Sequence, residues 1–203
     1  MQIRSADRKD QILQVLASML EEPRAGKITT ASLAARLNVS EAALYRHFAS
    51  KAQMFDGLIE FIEKTLLTLI NKLLSEEKSG IRQVEGIVAL LLGFAKKNPG
   101  MTRVLIGDAL INENDRLQAR INQLHDRLEA TLKQALRFGA RDGEVMPDID
   151  VAARANMLMC YVAGRWHQFA KSGFKRDPME YWEAQRREML SAEGFRMAAP
   201  AEV

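Results

Sequence analysis

The sequence predicts an all-α protein, and three observations support this fold class. Apolar residues recur at three- and four-residue spacing along most of the 203-residue chain, which is the pattern of amphipathic helices. Ser, Thr, Asn or Asp precedes most of these stretches, and their side chains can cap helix N-termini. No stretch shows the period-two alternation of a half-buried strand.

Three short helices are predicted within residues 1–51. The first has an apolar face that runs from Ile12 to Leu20, and Pro23 with Gly26 is expected to end it. Thr29 or Thr30 is expected to cap the second helix, which has Leu33, Ala34 and Leu37 on its inner face. Asn38 tolerates the left-handed backbone conformation common at helix ends, and Ser40 is expected to cap the third helix.

Six further helices are predicted in residues 52–192. The fourth begins at a cap on Ser50 and has a continuous apolar stripe from Met54 to Leu74. The others are expected over 81–97, 101–111, from Asn114 or Asp115 to Phe138, over 150–172 and over 177–192, with a loop at 139–147. Residues 193–203 have no sustained pattern and are expected to form a flexible tail.

Composition limits the class of function. The longest apolar run, residues 87–92, is too short to cross a bilayer, and the N-terminus has no apolar signal region. Cys160 is the only cysteine, so the chain can form no internal disulfide, which fits the cytoplasm. No phosphate loop, metal-ligand spacing or catalytic triad is evident. We therefore expect neither an enzyme nor a cofactor, and no membrane association.

Positive charge is concentrated in the first quarter of the chain. Residues 1–51 carry eight Lys or Arg and five acidic residues, whereas the remaining chain carries 21 of each. The net charge of +3 therefore arises entirely in the segment with the three short helices. An uneven distribution of this kind points towards nucleic acid or another anionic surface.

The second and third helices form a predicted helix-turn-helix, the motif that places its second helix in the DNA major groove. Ala35, Val39, Leu44 and Phe48 are expected to face inward. The side chains left outside are then candidates for DNA contact, with Tyr45 and His47 as donors to phosphates and Lys51 as a cation at a helix N-terminus. The full candidate set is Thr29, Thr30, Ser40, Glu41, Ala43, Tyr45, Arg46, His47 and Lys51.

The stretch "ITTASLAARLNVSEAALYRHFASKAQMF" resembles the N-terminal domain of the TetR family of DNA-binding proteins. The resemblance implies three helices for DNA, about six more for dimerisation and regulation, and homodimers on near-palindromic DNA. The stretches "FDGLIEFIEKTLLTLIN", "IVALLLGFAKKNPGMTRVLIGDAL" and "DRLQARINQL" resemble the nucleoid occlusion branch of this family. That resemblance implies a protein at the nucleoid which, when bound to DNA, disrupts polymers of the division protein FtsZ.

The resemblance also implies a partner site, in which the FtsZ C-terminal tail lies between the fourth and fifth helices. The matching positions are Phe61, Leu69, Leu90, Gly93, Lys97 and Asn98. Leu69 stands where the resembled protein has an arginine, which removes one charge from the site. Gly93 permits close backbone approach, and Lys96 with Lys97 can pair with an acidic tail.

The last two helices are rich in aromatic residues, which suits a two-fold four-helix dimer interface. The candidate interface residues are Leu158, Tyr161, Val162, Trp166, Phe169, Trp182 and Met189. Packing within one chain is the alternative interpretation of the same pattern.

Two other functions remain open at this level. The first is a ligand-responsive repressor of the TetR type, with a small-molecule pocket among the apolar residues of the long helices, although we expect no such ligand. The candidate lining residues are Leu66, Ile70, Val88, Leu91, Leu92, Phe94, Leu105, Leu124, Leu128, Met157, Tyr161 and Trp166. The second is an interaction module that acts without DNA.

Overall fold

Nine α-helices and one 3₁₀-helix account for most of residues 5–22, 28–111, 113–144 and 149–190, which a computed structural model describes. The helices are α1 (Ser5–Leu20), α2 (Thr30–Arg36), α3 (Glu41–Tyr45), α4 (Lys51–Glu76), α5 (Gly80–Lys97), α6 (Pro99–Leu105), α7 (Asp115–Arg141), α8 (Val151–Lys171) and α9 (Trp182–Leu190), with the 3₁₀-helix at Asp108–Leu110. The predicted all-α class is confirmed.

Two element boundaries near the middle and the start of the chain differ from the prediction. The helix expected over 101–111 begins at Pro99, where the missing amide hydrogen costs nothing, and ends at Leu105. Gly107 then adopts φ 77°, a left-handed conformation that breaks the helix before the 3₁₀ turn. α1 ends at Leu20, ahead of the expected stop, and residues 23–27 lie outside the described part of the chain.

The last described helix begins five residues later than predicted, at Trp182 rather than Asp177. The Arg165 guanidinium on α8 donates to the backbone carbonyls of Asp177 at 2.7 Å, Glu180 at 2.8 Å and Pro178 at 3.2 Å. The segment forms turns instead of helix, with the Glu180 amide donating to the Asp177 carbonyl at 3.0 Å beside the bond from Arg165. The predicted loop at 139–147 also shortens, because α7 continues to Arg141. The tail predicted at 193–203 lies outside the described residues.

α5 is the central helix and packs against α4, α7 and α8. Trp166 of α8 has no exposed surface, and its indole nitrogen donates to the Leu91 carbonyl at 3.1 Å. Most candidates for a ligand pocket are close-packed core residues here. Leu66, Ile70, Val88, Leu91, Leu92, Leu105, Leu124, Leu128 and Trp166 are at most 1% exposed. Met157 instead lies on the surface, and Tyr161 bonds to Gln185 at 2.8 Å.

Candidate DNA face and partner groove

α2 and α3 form the predicted helix-turn-helix, and side-chain caps fix both helix starts. The Thr29 hydroxyl accepts from the Ser32 amide at 3.1 Å, and the Ser32 hydroxyl accepts from the Thr29 amide at 3.0 Å. The Ser40 hydroxyl accepts from the Ala43 amide at 3.2 Å. Asn38 has φ 53°, as predicted for the residue that ends α2.

The inward side of this unit agrees with the prediction at most positions. Leu44 and Phe48 are buried in the main hydrophobic core, and Val39 is partly buried and packs against it. The prediction was wrong for Ala35, which is exposed. Ala34, one position earlier in α2, is buried in its place beside Leu33.

Hydrogen bonds bring Thr30, Glu41 and Tyr45 together on the outer side of α2 and α3. The Thr30 hydroxyl donates to a Glu41 carboxylate oxygen at 2.5 Å, and the Tyr45 hydroxyl lies 3.5 Å from the Thr30 hydroxyl. Tyr45 is 46% exposed. Of the other predicted contacts on this unit, Thr29, Ser40 and Arg46 are exposed, and Ala43 and His47 are partly exposed.

Lys51 was predicted to be available for a DNA phosphate, but its ammonium already has an acidic partner. Its ammonium forms an ion pair with Glu113, in the segment just before α7, and lies 5.6 Å from the Phe55 ring centroid. The side chains of Lys51 and Glu113 are only 22% and 12% exposed. No sequence pattern indicated Glu113, because 62 residues separate it from Lys51.

Two more sets of ion pairs continue this contact along α4 and α7. Arg120 contacts Asp56 at 2.7 Å and Glu63 at 3.1 Å, and Arg127 also pairs with Glu63. Arg120 and Arg127 are seven residues apart in α7, so they lie on the same side of that helix. Ion pairs therefore join α4, from its first turn to its middle, to α7 and the segment just before α7.

The α4–α5 groove, as we call the surface between these two helices, has open space at its centre. The short link between the helices makes them antiparallel, and a Cβ on Gly86 would lie 2.7 Å from the Leu73 side chain. Taking Leu73 as opposite Gly86, this register places Leu69 opposite Leu90 and Phe61 opposite Asn98. A Cβ on Gly93 would meet nothing within 4 Å.

The predicted partner residues on these two helices differ in solvent exposure and in the hydrogen bonds they already make. Phe61 and Leu69 are exposed by 48% and 44%, which is high for large apolar side chains, and Leu90 is partly buried. Lys97 is exposed. The Asn98 amide group donates to the Phe94 carbonyl at 2.8 Å, so this side chain caps the end of α5.

Lys96 is less available than its neighbour for pairing with an acidic partner. Its ammonium already contacts the Asp177 carboxylate at 2.6 Å. The Asp177 backbone carbonyl in turn accepts a hydrogen bond from Arg165. Within the described ranges Lys97 forms no such ion pair.

The predicted dimer residues on α8 and α9 need a correction. Leu158, Val162 and Trp166 have no exposed surface in the single chain, and Phe169 and Trp182 are 4% and 3% exposed. These five side chains pack inside their own chain, which agrees with the alternative interpretation of the aromatic pattern as packing within one chain. Tyr161 and Met189 retain partial exposure.

A different strip on α8 and α9 faces outward. Its members on α8 are Ala153, Met157, Cys160 and Gly164, all exposed and spaced by three or four residues. A Cβ on Gly164 would meet nothing within 4 Å. Ala184 on α9 and Tyr181 just before it are also exposed. We call these six residues the α8–α9 strip.

Among the described helices, none combines the length and the apolar content that a bilayer span requires.

Known proteins similar to this chain cover nearly all of it. Residues 24–58 match the family of bacterial regulatory proteins, tetR family, and residues 78–192 match the tetracyclin repressor-like C-terminal domain. The nucleoid occlusion factor SlmA of Alteromonas mediterranea is 54% identical, with 90% of this chain and 94% of that protein covered. The SlmA of Idiomarina loihiensis is 50% identical, with 92% and 97% covered.

Solved structures with much lower identity share the fold. The TetR family transcriptional regulator PfmR from Thermus thermophilus has a TM-score of 0.74 at 22% identity, with 90% of this chain and 95% of that chain covered. A TetR transcription regulator from Haloarcula marismortui has a TM-score of 0.78 at 16% identity, with 92% and 98% covered. The family matches, together with the capped helix-turn-helix, establish that this chain belongs to the TetR family of DNA-binding regulators and, within it, to the SlmA family of nucleoid occlusion factors.

Proposed function

We propose that this protein is a nucleoid occlusion factor that binds near-palindromic DNA as a homodimer and, while bound, antagonises FtsZ assembly through the α4–α5 groove. The observation that carries the proposal is 54% identity over 90% of the chain to a protein named for nucleoid occlusion. The geometry of the DNA face, the groove and the α8–α9 strip supports its three parts in turn.

DNA is bound through α3, which enters the major groove, while the start of α2 contacts the backbone. Ala43 is small, so it allows α3 to approach base edges closely. Arg46 supplies charge, and Thr29, Tyr45 and His47 can donate to phosphates, which fixes the register of the protein on the duplex. The excess of basic residues in the first quarter of the chain favours the same surface.

The FtsZ tail lies in the α4–α5 groove over Gly93. The exposed Phe61 and Leu69 provide apolar anchors at two points of the groove, and the missing side chain at Gly93 admits the peptide backbone between them. Lys97 is the cation that pairs with an acidic residue of the tail. Leu69 makes this groove more apolar than one with an arginine at that position, so the complex depends less on salt concentration.

Two copies of the chain associate through the α8–α9 strip. Small residues at Ala153, Cys160 and Gly164 let two helices approach closely, and Met157 and Tyr181 add apolar area around them. An isologous contact of this kind places two copies of α3 on one side of the dimer, about one turn of DNA (~34 Å) apart.

The ligand-responsive repressor is not favoured, because Trp166, Leu91 and Leu66 close-pack the interior between α4, α5 and α8. The module that acts without DNA is not favoured either, since residues 24–58 match a DNA-binding family.

Fluorescence anisotropy of a labelled FtsZ C-terminal tail peptide tests the proposal, with the protein titrated in the presence and absence of a duplex that it binds. Saturable binding that is lost in Gly93→Trp, and kept in the control Ala130→Trp on the exposed side of α7, is the expected result. Peptide binding that Gly93→Trp leaves unchanged would refute the groove, and no binding in either state would refute FtsZ as the partner.

The dimer is tested by the matched substitution Gly164→Trp. A tryptophan there meets no atom of its own chain within 4 Å at its Cβ, so the monomer fold tolerates it. The expected result is a monomer by sedimentation and a loss of affinity for the palindrome. A dimer of unchanged mass would exclude the α8–α9 strip as the interface.

A further inference from the structure

Glu41 is an acidic side chain on a surface that otherwise suits a polyanion. It is the first residue of α3 and is exposed, and the basic candidate contact Arg46 follows directly after the end of the same helix. A carboxylate near DNA phosphates weakens the sequence-independent part of binding. Its position in the first turn of α3 is one from which a recognition helix reaches base edges.

The structure holds this carboxylate in a defined orientation. The Thr30 hydroxyl donates to Glu41 Oε2 at 2.5 Å, across eleven residues of sequence, and the Tyr45 hydroxyl stands 3.5 Å from the same Thr30 oxygen. Ala42 and Ala43 follow Glu41 in α3, so no bulky side chain next to it blocks its approach to a base. The N-terminal residues of a recognition helix are those that reach base edges.

We propose that Glu41 determines sequence specificity by accepting a hydrogen bond from the N4 amino group of a cytosine in the major groove, and that Thr30 is its positioning residue. An ionised carboxylate only accepts hydrogen bonds. In the major groove, guanine presents acceptors at O6 and N7 and thymine an acceptor at O4, so both repel it. Adenine has a donor at N6 but also an acceptor at N7 beside it, whereas cytosine presents the donor alone.

The inference rests on the proposed entry of α3 into the major groove and adds a base identity to it. Glu41 discriminates against wrong bases in two ways, by the bond it makes to cytosine and by repulsion from the acceptors of guanine and thymine. Thr30 occupies one carboxylate oxygen, which leaves the other to face the base. The Glu41 charge thus lowers general affinity for DNA and raises selectivity.

Selection of binding sites from a randomised duplex library, followed by competition titrations, tests this role. For the wild-type protein we expect one cytosine in each half-site whose replacement weakens binding by about tenfold. In Glu41→Gln the preference at that position moves towards adenine, because a glutamine pairs with both N6 and N7. In Glu41→Ala the preference disappears, while affinity for unrelated DNA rises because an acidic charge is lost.

Two controls keep the outcome interpretable. Glu76→Gln removes an exposed carboxylate at the far end of α4 and should leave every base preference unchanged. Thr30→Val keeps the shape of residue 30 and removes its donor, so it should weaken the same cytosine preference without moving it.

Retention of the wild-type base preferences in Glu41→Ala, with its helix content unchanged by circular dichroism, would overturn the assignment. A wild-type protein that selects no sequence at all would overturn the DNA-binding part of the proposed function as well, so the two failures are distinguishable.

Discussion

Gly93→Ala should stabilise the fold and weaken tail binding in the same molecule. Gly93 lies in the interior of α5, where a glycine is less favourable than an alanine by about 0.5–1 kcal/mol. The new Cβ would meet nothing within 4 Å, so no packing penalty offsets this gain. We therefore expect an increase in the free energy of unfolding of about 0.5–1 kcal/mol.

Gly80→Ala is the matched control, and its effect should have the opposite sign. A Cβ at the start of α5 would lie 2.2 Å from the Gly139 amide nitrogen and 2.7 Å from the Ala135 carbonyl oxygen of α7. Both atoms belong to the backbone, so α5 and α7 must move apart. Overpacking of this kind costs about 1–3 kcal/mol.

Urea unfolding followed by circular dichroism measures both variants, at one protein concentration because association stabilises a dimer. In thermal unfolding followed by the same signal, the expected gain in Gly93→Ala raises the midpoint temperature of a chain of this length by about 1–4 °C. The tail peptide titration then gives the second readout, in which the added methyl group should weaken binding. A loss of stability in Gly93→Ala would refute the open space above Gly93, and unchanged peptide affinity would refute its place in the groove.

Three other substitutions give distinct readouts. Lys51→Ala should weaken DNA binding to a similar extent on all sequences. The slope of log binding constant against log salt concentration should become shallower by about one for each Lys51 that contacts a phosphate, and an unchanged slope would remove Lys51 from the list of contacts. Burial lowers the pKa of His125, so the free energy of unfolding should fall as the pH drops below about 6.5, where the unfolded histidine gains a proton; His125→Leu should flatten this change in urea titrations. Trp166→Phe should destabilise by about 1–3 kcal/mol in the same assay, since it shrinks a fully buried side chain and removes the indole hydrogen bond to the Leu91 carbonyl, and an unchanged value would contradict the packing.

Local signals in the sequence were sufficient for the helix starts. Ser40 and Ser50 accept from amides in the first turn of the helices that they were expected to cap. Asn38 takes the left-handed conformation predicted for it. These features depend on residues within a few positions of each other, so a single stretch of sequence contains all the information needed.

Features that depend on distant residues could not be predicted in this way. Arg165 delays the start of α9 because it binds carbonyls twelve to fifteen residues away, and nothing around Asp177 indicates such a partner. The α8–α9 strip was missed for another reason. Helical periodicity identifies an apolar face such as that of Leu158 and Val162, but it does not distinguish a core within one chain from an interface between two.

α4 carries both proposed sites on one rigid helix. Lys51 and Phe61 are separated by ten residues of α4, about 15 Å along its axis. The ion pairs of Asp56 and Glu63 with Arg120 hold the intervening turns against α7. The α4–α7 contact therefore lies between the two proposed sites.

Glu113→Gln tests the DNA end of this contact, because a phosphate and Glu113 both attract the Lys51 ammonium. If they compete, neutralising Glu113 removes an ion pair worth about 1 kcal/mol and tightens DNA binding by about fivefold per protomer, with an unchanged salt slope. Weaker DNA binding in Glu113→Gln would instead show that Glu113 orients Lys51 towards the phosphate, and Glu76→Gln should change neither the affinity nor the salt slope.

Thermodynamic linkage between DNA binding and tail binding gives a second test of the same contact. Any factor by which DNA changes tail affinity must equal the factor by which the tail changes DNA affinity, so both titrations must shift together in Glu113→Gln if Lys51 couples the two sites.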